Sequence, residues 1–252
     1  MIEKLYWLPA GKLSSDYSAL NLNVPPGQMV TIPIWVFLLV TEDGPILLDT
    51  GMPESFINNP DYFKGTPYEG RIIPLMERDD HIVSVLKKVG YSPSDMIAVI
   101  NSHLHMDHAG GNPYFPDTPI YIQQKEWEIV KQGISAYAPP ECLLPNLNYT
   151  IVEGDTEPFP GLQLLSTPGH SPGHQSVLVT TKKTGPILLT VDMAYTRSNY
   201  EEGAPFFTYD YRQARQSIER IKQKMEGIQP SIIFFGHDID QGAVQQVYPI
   251  FY

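Results

Sequence analysis

Four potential metal ligands fall within six positions of the sequence, directly after a short apolar segment. The stretch AVINSHLHMDHAGG, residues 98–111, carries His103, His105, Asp107 and His108, and the whole chain has only seven histidines. Imidazole and carboxylate groups crowded together without a cation would leave many polar atoms in need of partners. The chain is therefore expected to fold so that metal can bind at the end of the preceding strand.

The spacing of these four residues favours two cations over one. In an extended segment alternate side chains share a face, so His103, His105 and Asp107 would project together while His108 lies out of phase. The glycines that follow would let the backbone turn sharply enough to bring His108 round. Two adjacent cations could then share the set, with His103 and His105 on one and Asp107 and His108 on the other.

The remaining ligands follow three other apolar segments. LQLLS runs through TPG into His170, ILLTV ends at Asp192, and SIIFFG ends at His237. Strand ends gathered at one edge of a layered sheet would bring all seven groups together. We expect His170 to complete the first site and His237 the second, with Asp192 bridging both cations alongside a water-derived hydroxide.

This ligand set points to catalysis. Imidazole and carboxylate without thiolate suit Zn, and also Co, Fe or Mn. Two cations about 3.5–4 Å apart lower the pKa of bound water and polarise a carbonyl group, which predicts metal-assisted hydrolysis. A purely structural zinc site would favour thiolate ligands, and Cys142 is the only cysteine. We expect Cys142 to be a packed thiol.

Size and composition indicate one folded domain over residues 1–252. Of the chain, 42% is hydrophobic and 18% charged, as in folded soluble proteins. The longest apolar run, IPIWVFLLV at 32–40, is shorter than the roughly 20 residues of a membrane helix, and no signal-peptide pattern precedes it. The single cysteine excludes an intramolecular disulfide and fits a reducing compartment. A cytoplasmic location without membrane insertion is predicted.

The charge of the chain restricts its partners. Twenty-eight acidic side chains against seventeen basic ones give a net charge of −11. Such a field repels phosphate backbones, so a nucleic-acid partner and a nuclease activity are not expected. A neutral or weakly charged small molecule is the better substrate class.

An internal repeat suggests two related β halves. IWVFLLVTEDGPILLDTG (34–51) and QSVLVTTKKTGPILLTVD (175–192) both read as a strand, a polar turn and a second strand beginning GPILL. Helical patterns separate the strands, so the class is α/β or α+β with a layered sheet core. The predicted helices lie within 79–90, 123–133 and 210–227, the last capped by Asp210 and closed by Gly227 and Pro230, while 51–78 is predicted as a long loop.

The motifs resemble those of a known family. SHLHMDHAGG, TPGHSPGHQS, LLTVDMAY and FFGHD are similar to the metallo-β-lactamase superfamily. KLYWLPAG, GPILLDTGMPES and ECLLPNLNY narrow the resemblance to its N-acyl-homoserine lactonases, which degrade quorum-sensing signals. This resemblance spans nearly the whole chain. It implies a four-layer αββα sandwich, a dinuclear metal site with the ligands given above, a homodimer and hydrolysis of the lactone ring of an acyl lactone.

The resemblance also implies roles for residues that composition could not single out. Tyr195 would hydrogen-bond the lactone carbonyl or ester oxygen and stabilise the tetrahedral intermediate. Asp107 would in addition carry a proton to the departing alkoxide. Asp49, in LLDTG, would orient a ligating imidazole, although a turn-forming role is equally compatible with the sequence.

For several residues the sequence allows two different roles. Met106 occupies a position where related lactonases often carry Phe. It is one of five candidate acyl-chain contacts that could equally be core or dimer-interface residues: Leu20, Phe63, Tyr68, Met106 and Phe206. His174 is expected to be structural or to support a ligand, since six protein ligands and a bridge fill both sites. His81 is expected on the surface of a helix.

Alternative functions share parts of this pattern. Another hydrolase on the same scaffold, such as a thioesterase of the glyoxalase II type, another esterase or lactonase, or a β-lactamase, would use the same metal ligands. A di-iron redox protein would usually carry Glu in place of His105, which argues against that class. A non-catalytic protein that binds metal or a signal molecule would lack turnover, and only an assay separates it.

Overall fold

The computed structural model describes residues 1–133, 138–244 and 246–252. Most of the chain is in strands and in short helices that connect them. The strands are β1 (Ile2–Asp16), β2 (Met29–Thr41), β3 (Pro45–Leu48), β4 (Ile72–Leu75), β5 (Ala98–Ile100), β6 (Pro119–Gln123), β7 (Asn148–Val152), β8 (Thr156–Phe159), β9 (Leu162–Ser166), β10 (Gln175–Thr181), β11 (Gly185–Val191) and β12 (Ile232–Phe235).

The α-helices are mostly short. They are α1 (Ile82–Lys88), α2 (Met106–Ala109), α3 (Gln124–Lys131), α4 (Arg197–Glu201), α5 (Tyr211–Ile228) and α6 (Ile239–Val244). Single 3-10 turns lie at Tyr17–Ala19, Glu54–Phe56, Arg78–Asp80, Pro93–Asp95, Asn112–Tyr114 and Pro140–Leu143. Within the described ranges, no helix has both the length and the apolar content needed to cross a bilayer.

The strands form two mixed layers joined at one point. The first layer runs β4-β1-β2-β3-β5-β6-β7, and the second runs β8-β9-β10-β11-β12. They meet where Ile2 of β1 pairs with Thr181 of β10 in parallel. With helices on the outer faces, this is the αββα sandwich of the metallo-β-lactamase fold, as predicted.

The alternation of side chains along each strand builds two different cores. Ile46 and Leu48 of β3 join the cluster between the sheets, whereas Leu47 faces the other side. Trp7 of β1 contacts Phe234 of β12 across the sandwich, with ring centroids 4.7 Å apart. Strands buried on both faces in this way explain why the sequence shows continuous apolar runs there.

The two halves predicted from the repeat are present as hairpins. β2 pairs antiparallel with β3, and β10 pairs antiparallel with β11. A non-glycine residue with positive φ lies at the end of each second strand: Asp49, directly after β3, at 59°, and Val191, the last residue of β11, at 47°. Such a conformation is strained for an L-residue, most of all for a β-branched one, and strained residues cluster at functional sites. Both lie beside the predicted metal ligands.

The predicted helices are confirmed, with one shifted boundary. α1 and α3 lie within the predicted segments and α5 matches the third apart from its end, and the Asp210 side chain caps α5 by accepting a hydrogen bond from the Gln213 N–H. Gly227 does not end α5 as expected. The helix continues to Ile228 and closes at Gln229, which takes the left-handed conformation in place of a glycine.

Two expectations about the region before the metal cluster are wrong. The segment 51–78 is not all loop, because Ile72–Leu75 forms β4 and pairs with β1. His81 is buried and not on the surface. Its Nδ1 accepts the Val83 N–H at 3.4 Å, so the ring caps α1, and it packs edge-on against Tyr114 with centroids 4.7 Å apart.

Candidate metal centre

Four strand ends deliver the candidate ligands to one edge of the sandwich. His103 and His105 follow β5, and His170 follows β9. Asp192 comes directly after β11, and His237 comes two residues after β12. The side chains are almost completely buried, apart from His105, which is partly exposed.

Three imidazoles form a first group. His170 Nε2 lies 3.0 Å from both His103 Nε2 and His105 Nδ1. Ring nitrogens that converge this closely can bind one cation between them, because each can offer it a lone pair. Burial lowers the pKa of His103 and His170 well below its usual range and also lowers that of His105. The rings are therefore neutral and offer lone pairs to a cation.

A second group lies beside the first and contains Asp107, His108 and His237. Asp107 Oδ2 lies 3.5 Å from His108 Nε2 and 3.6 Å from His237 Nε2. Burial opposes a charge on His108, but Asp192, Asp107 and Asp49 together raise its pKa well above the usual range. The pKa of His237 is raised against burial by Asp192 and Asp107. The carboxylates thus favour positive charge at this position.

Asp192 lies between the two groups and faces both. Its Oδ2 is 3.2 Å from His170 Nε2 and 3.4 Å from His108 Nε2, while its Oδ1 is 3.3 Å from His237 Nε2. Gly236 makes room for it, because a Cβ there would lie 2.5 Å from Asp192 Oδ1. One carboxylate therefore faces imidazoles of both groups.

The residues fit the two divalent cations that the family resemblance implies. His108 Nε2 and Asp192 Oδ1 are buried and have no hydrogen-bond partner among the described residues. Buried polar atoms without partners are rare and call for an explanation. Three sets of ligand atoms fall within 4.8 Å of one another: His103, His105 and His170; His103, His108 and Asp192; and Asp107, His108 and His237. Divalent cations would satisfy these atoms.

The second nitrogen of four of these rings is held by the protein. Asp49 Oδ2 lies 2.8 Å from His108 Nδ1, and the same carboxylate accepts from Ser102 N and Oγ. Ser102 Oγ is 3.0 Å from His103 Nδ1, and the Pro33 carbonyl is 2.9 Å from His237 Nδ1. Tyr195 holds the fourth ring, that of His170, through its hydroxyl. Such partners fix the ring orientation and tautomer of metal-binding histidines.

The backbone route to His108 differs from the predicted one. The chain does not stay extended through Asp107. It enters α2 at Met106, so Asp107 and His108 project from a helical turn. Gly110 and Gly111 have ordinary negative φ values, so they are needed for space and not for a sharp turn. A Cβ on Gly110 would lie 2.2 Å from Pro53 N.

Cys142 is a packed thiol, as expected, and His174 is buried as well. His174 Nε2 accepts the Asp192 N–H at 3.1 Å, and its Nδ1 lies 2.8 Å from Thr167 Oγ1. Burial lowers the pKa of His174 to about 3, so the ring is neutral and supports the backbone of Asp192. Burial raises the pKa of the Cys142 thiol to about 12, which excludes a reactive thiolate.

A cavity of about 440 Å³ opens onto the ligand groups. Leu20, Tyr68 and Met106 line it, together with five of the ligands and Tyr195. Phe63 and Phe206 are not among the described residues that line the cavity. Phe206 packs behind Tyr195, with ring centroids 5.1 Å apart, and Phe63 packs against Phe56 and Tyr68.

Phe207 lines the cavity and was not among the candidates. Phe206 and Phe207 are adjacent and chemically identical, so the sequence offers no signal that distinguishes them. The Phe207 N–H donates to the Ala19 carbonyl, which fixes the segment so that Phe206 turns inward and Phe207 stays about half exposed.

Tyr195 stands at the metal end of the cavity. Its hydroxyl lies 3.2 Å from His170 Nδ1, and its ring contacts that of His237 with centroids 5.3 Å apart. The residue is 8% exposed and belongs to the cavity wall. A hydroxyl in this place can reach a group bound beside the ligand cluster.

The chain matches a family model and close relatives. The model of the metallo-beta-lactamase superfamily matches residues 30–237. An N-acyl homoserine lactonase of Bacillus cereus is 51% identical over 248 residues, which cover 98% of both chains.

Solved structures agree with this match. An N-acyl homoserine lactone hydrolase with its product N-hexanoyl-L-homoserine at the catalytic metal center superposes with a TM-score of 0.97, at 49% identity over 100% of both chains. An AiiA mutant of B. thuringiensis with N-decanoyl-L-homoserine at its active site gives the same values. The chain thus belongs to the metallo-beta-lactamase superfamily and, within it, to the N-acyl homoserine lactonases.

Proposed function

We propose that this protein hydrolyses the lactone ring of N-acyl homoserine lactones and so degrades quorum-sensing signals. One observation carries the proposal: the cavity of this chain ends at the candidate ligand groups, and a relative of the same fold holds N-hexanoyl-L-homoserine at its catalytic metal center. The apolar side chains Leu20, Met106 and Phe207 would hold the acyl chain.

Two divalent cations, Zn with Co, Fe or Mn as alternatives, would supply an activated water and polarise the lactone carbonyl. His103, His105 and His170 would hold one cation. Asp107, His108 and His237 would hold the other, with Asp192 shared between them. The support for two is the presence of two separate three-residue groups with Asp192 between them.

The side chains of the protein would bind and orient the substrate and move one proton. The Tyr195 hydroxyl would donate a hydrogen bond to the lactone carbonyl or ester oxygen and stabilise the oxyanion. Asp107, which faces the cavity, would accept the proton that the attacking water loses and deliver it to the ring oxygen as the ester C–O bond breaks. The product is the ring-opened acyl homoserine, with a carboxylate and a free hydroxyl.

Further proposals concern the state of the protein. We propose one hydrolase domain over residues 1–252, acting in the cytoplasm as a homodimer, without a nucleic-acid partner and without membrane insertion. The single buried thiol and the net charge of −11 support the location and the choice of partner. Sedimentation equilibrium tests the dimer, and a single species at 28.4 kDa would contradict it.

The function is tested with a panel of acyl-homoserine lactones. Ring opening is measured through the protons that hydrolysis releases, and metal content is determined on the same sample. We expect turnover that depends on metal, with about two metals per chain. Bound metal without lactone turnover would favour a thioester or another ester as substrate, which a parallel assay with a glutathione thioester would reveal.

The ligand assignment has a separate test. Asp192→Asn and His108→Ala should each lose metal as well as activity, because the first removes a negative charge from the ligand cluster and the second removes an imidazole. Glu201→Gln, in the exposed ion pair with Arg197, is the matched control and should keep both. A ligand variant that stays fully active with both metals bound would overturn the assignment.

A further inference from the structure

Glu126 is a buried carboxylate close to the metal centre but outside the set of candidate ligands. It lies in the first turn of α3 and is 1% exposed. Carboxylates are almost never fully buried unless they are paired or hydrogen-bonded. Its side chain enters the junction between the segments that follow β5 and β9.

Each carboxylate oxygen of Glu126 holds a different ligand-bearing segment. Oε1 accepts the Leu104 N–H at 3.0 Å, between His103 and His105. Oε2 accepts from Ser171 Oγ at 2.7 Å and from the Gly173 N–H at 2.9 Å, immediately after His170. One side chain thus connects the two segments that carry all three imidazoles of the first group.

The packing around Glu126 requires this close approach. A Cβ on Gly173 would lie 2.2 Å from the Glu126 backbone nitrogen, so α3 rests directly on the segment after His170. No ion pair joins Glu126 to Lys or Arg in residues 1–133, 138–244 and 246–252.

We propose that Glu126 is a positioning residue for the first metal group. It fixes the spacing of His103, His105 and His170 through the two segments, and its negative charge favours a cation at that group. This inference rests on the proposed two-metal site. It does not depend on which ester is the substrate.

Glu126→Gln tests the proposal. A glutamine oxygen can still accept from Ser171 and Gly173, but its NH2 group then faces the Leu104 N–H, so that bond is lost together with the charge. We expect the affinity for one of two Zn²⁺ ions to fall about 10–100-fold in competition with a chromophoric chelator, as for other groups that support metal ligands. After dialysis against the chelator, about one metal should remain in the variant where wild type retains about two.

Glu128→Gln is the matched control, because Glu128 lies on the same helix, is exposed and accepts a hydrogen bond from the Gln124 side chain. It should bind metal like wild type. Ser171→Ala is a milder second variant for the case that Glu126→Gln does not fold, and it should weaken the same binding step several-fold.

The thermal unfolding of the metal-free proteins distinguishes positioning from a merely structural role. If Glu126 only stabilises the fold, the metal-free variants should melt lower while the folded protein binds two metals with wild-type affinity, and that result would overturn the proposal. Loss of one binding step with a nearly unchanged metal-free melting temperature would support it. Wild type that binds two metals but opens no lactone would refute the proposed substrate and leave this result intact.

Discussion

At the scale of single residues, the site depends on the groups that hold the second nitrogen of each ligating imidazole. The second nitrogens of His103, His108, His170 and His237 lie within 2.8–3.2 Å of a serine, an aspartate, a tyrosine and a carbonyl respectively. Each contact selects one tautomer and one ring orientation, so the nitrogen that faces the centre can accept a cation. The supporting residues therefore matter nearly as much as the ligands.

Asp49→Asn should weaken metal binding although Asp49 faces no cation. The amide cannot accept from Ser102 N, Ser102 Oγ and His108 Nδ1 as the carboxylate does. We expect metal affinity to fall about 10–100-fold in a chelator competition. Asp43→Asn, in the exposed turn between β2 and β3, is the control, and equal affinity of the two variants would contradict this role.

Tyr195→Phe should lower kcat even when the variant carries its full complement of metal, although the lost contact with His170 Nδ1 also weakens metal binding. The substitution removes only the hydroxyl, and loss of one oxyanion donor commonly reduces kcat about 100–1,000-fold. Steady-state kinetics and metal analysis of the same preparation give the answer. Tyr200→Phe is the control, since Tyr200 is equally buried but is not part of the cavity wall. A Tyr195→Phe enzyme with wild-type kcat would refute the oxyanion role.

At the scale of elements, α5 anchors the second half of the sandwich. Ala214, Ile218, Ile221 and Met225 form its buried face, and the Ser217 hydroxyl donates to the Pro168 carbonyl two residues before His170. The helix thereby packs beside the segment that presents this imidazole. Its stability and the position of His170 are linked.

Ile218→Ala should destabilise the fold without removing a ligand. Ile218 is fully buried, and truncating such a side chain lowers the free energy of unfolding by about 2–5 kcal/mol. Arg212→Ala, on the exposed face of α5, should change it by less than about 0.5 kcal/mol. Denaturant titration measures both. Similar values for the two variants would mean that α5 contributes little to the core.

The elements that the sequence predicted well are those with a strong local pattern. The hairpins, α5 and the four strand ends follow from periodicity and from residue types. The turn at α2 and strand β4 do not, because the first is a single helical turn and the second gains its pairing from β1, far away in sequence.

Burial was harder to predict at positions where tertiary contacts decide. His81 lies at the start of an amphipathic helix, yet it is buried because it caps that helix and packs on Tyr114. Glu126 falls in a polar helical segment, and only the packing of α3 on the segment after His170 reveals its contacts. The placement of Phe63 and Phe206 behind the cavity wall likewise has no local signal.

At the scale of the whole molecule, the charge of the centre links metal binding to stability. Asp49, Asp107 and Asp192 are buried, and each lies within a few ångströms of the His108 imidazole. A cation that binds the folded chain and not the unfolded one stabilises the fold by mass action. Metal-free protein should therefore be the less stable form.

Removal of metal with a chelator should lower the melting temperature by about 5–10 °C, if the metal was present at about 100 times its Kd. Readdition of Zn²⁺ should restore it. Asp192→Asn provides the control, because a chain that no longer binds metal well should melt at nearly the same temperature with and without chelator. An unchanged melting temperature in wild type would contradict metal binding by the folded state.

The ligand groups also constrain the order in which this protein can mature. Each of the three groups found in the described residues needs a member from beyond β9: His170, Asp192 or His237. The β2–β3 hairpin and the segment around α2 are synthesised before β9, but they offer at most part of a coordination shell. Tight capture of metal must wait until the later strands have docked, so uptake of the cations marks a finished sandwich and does not seed one.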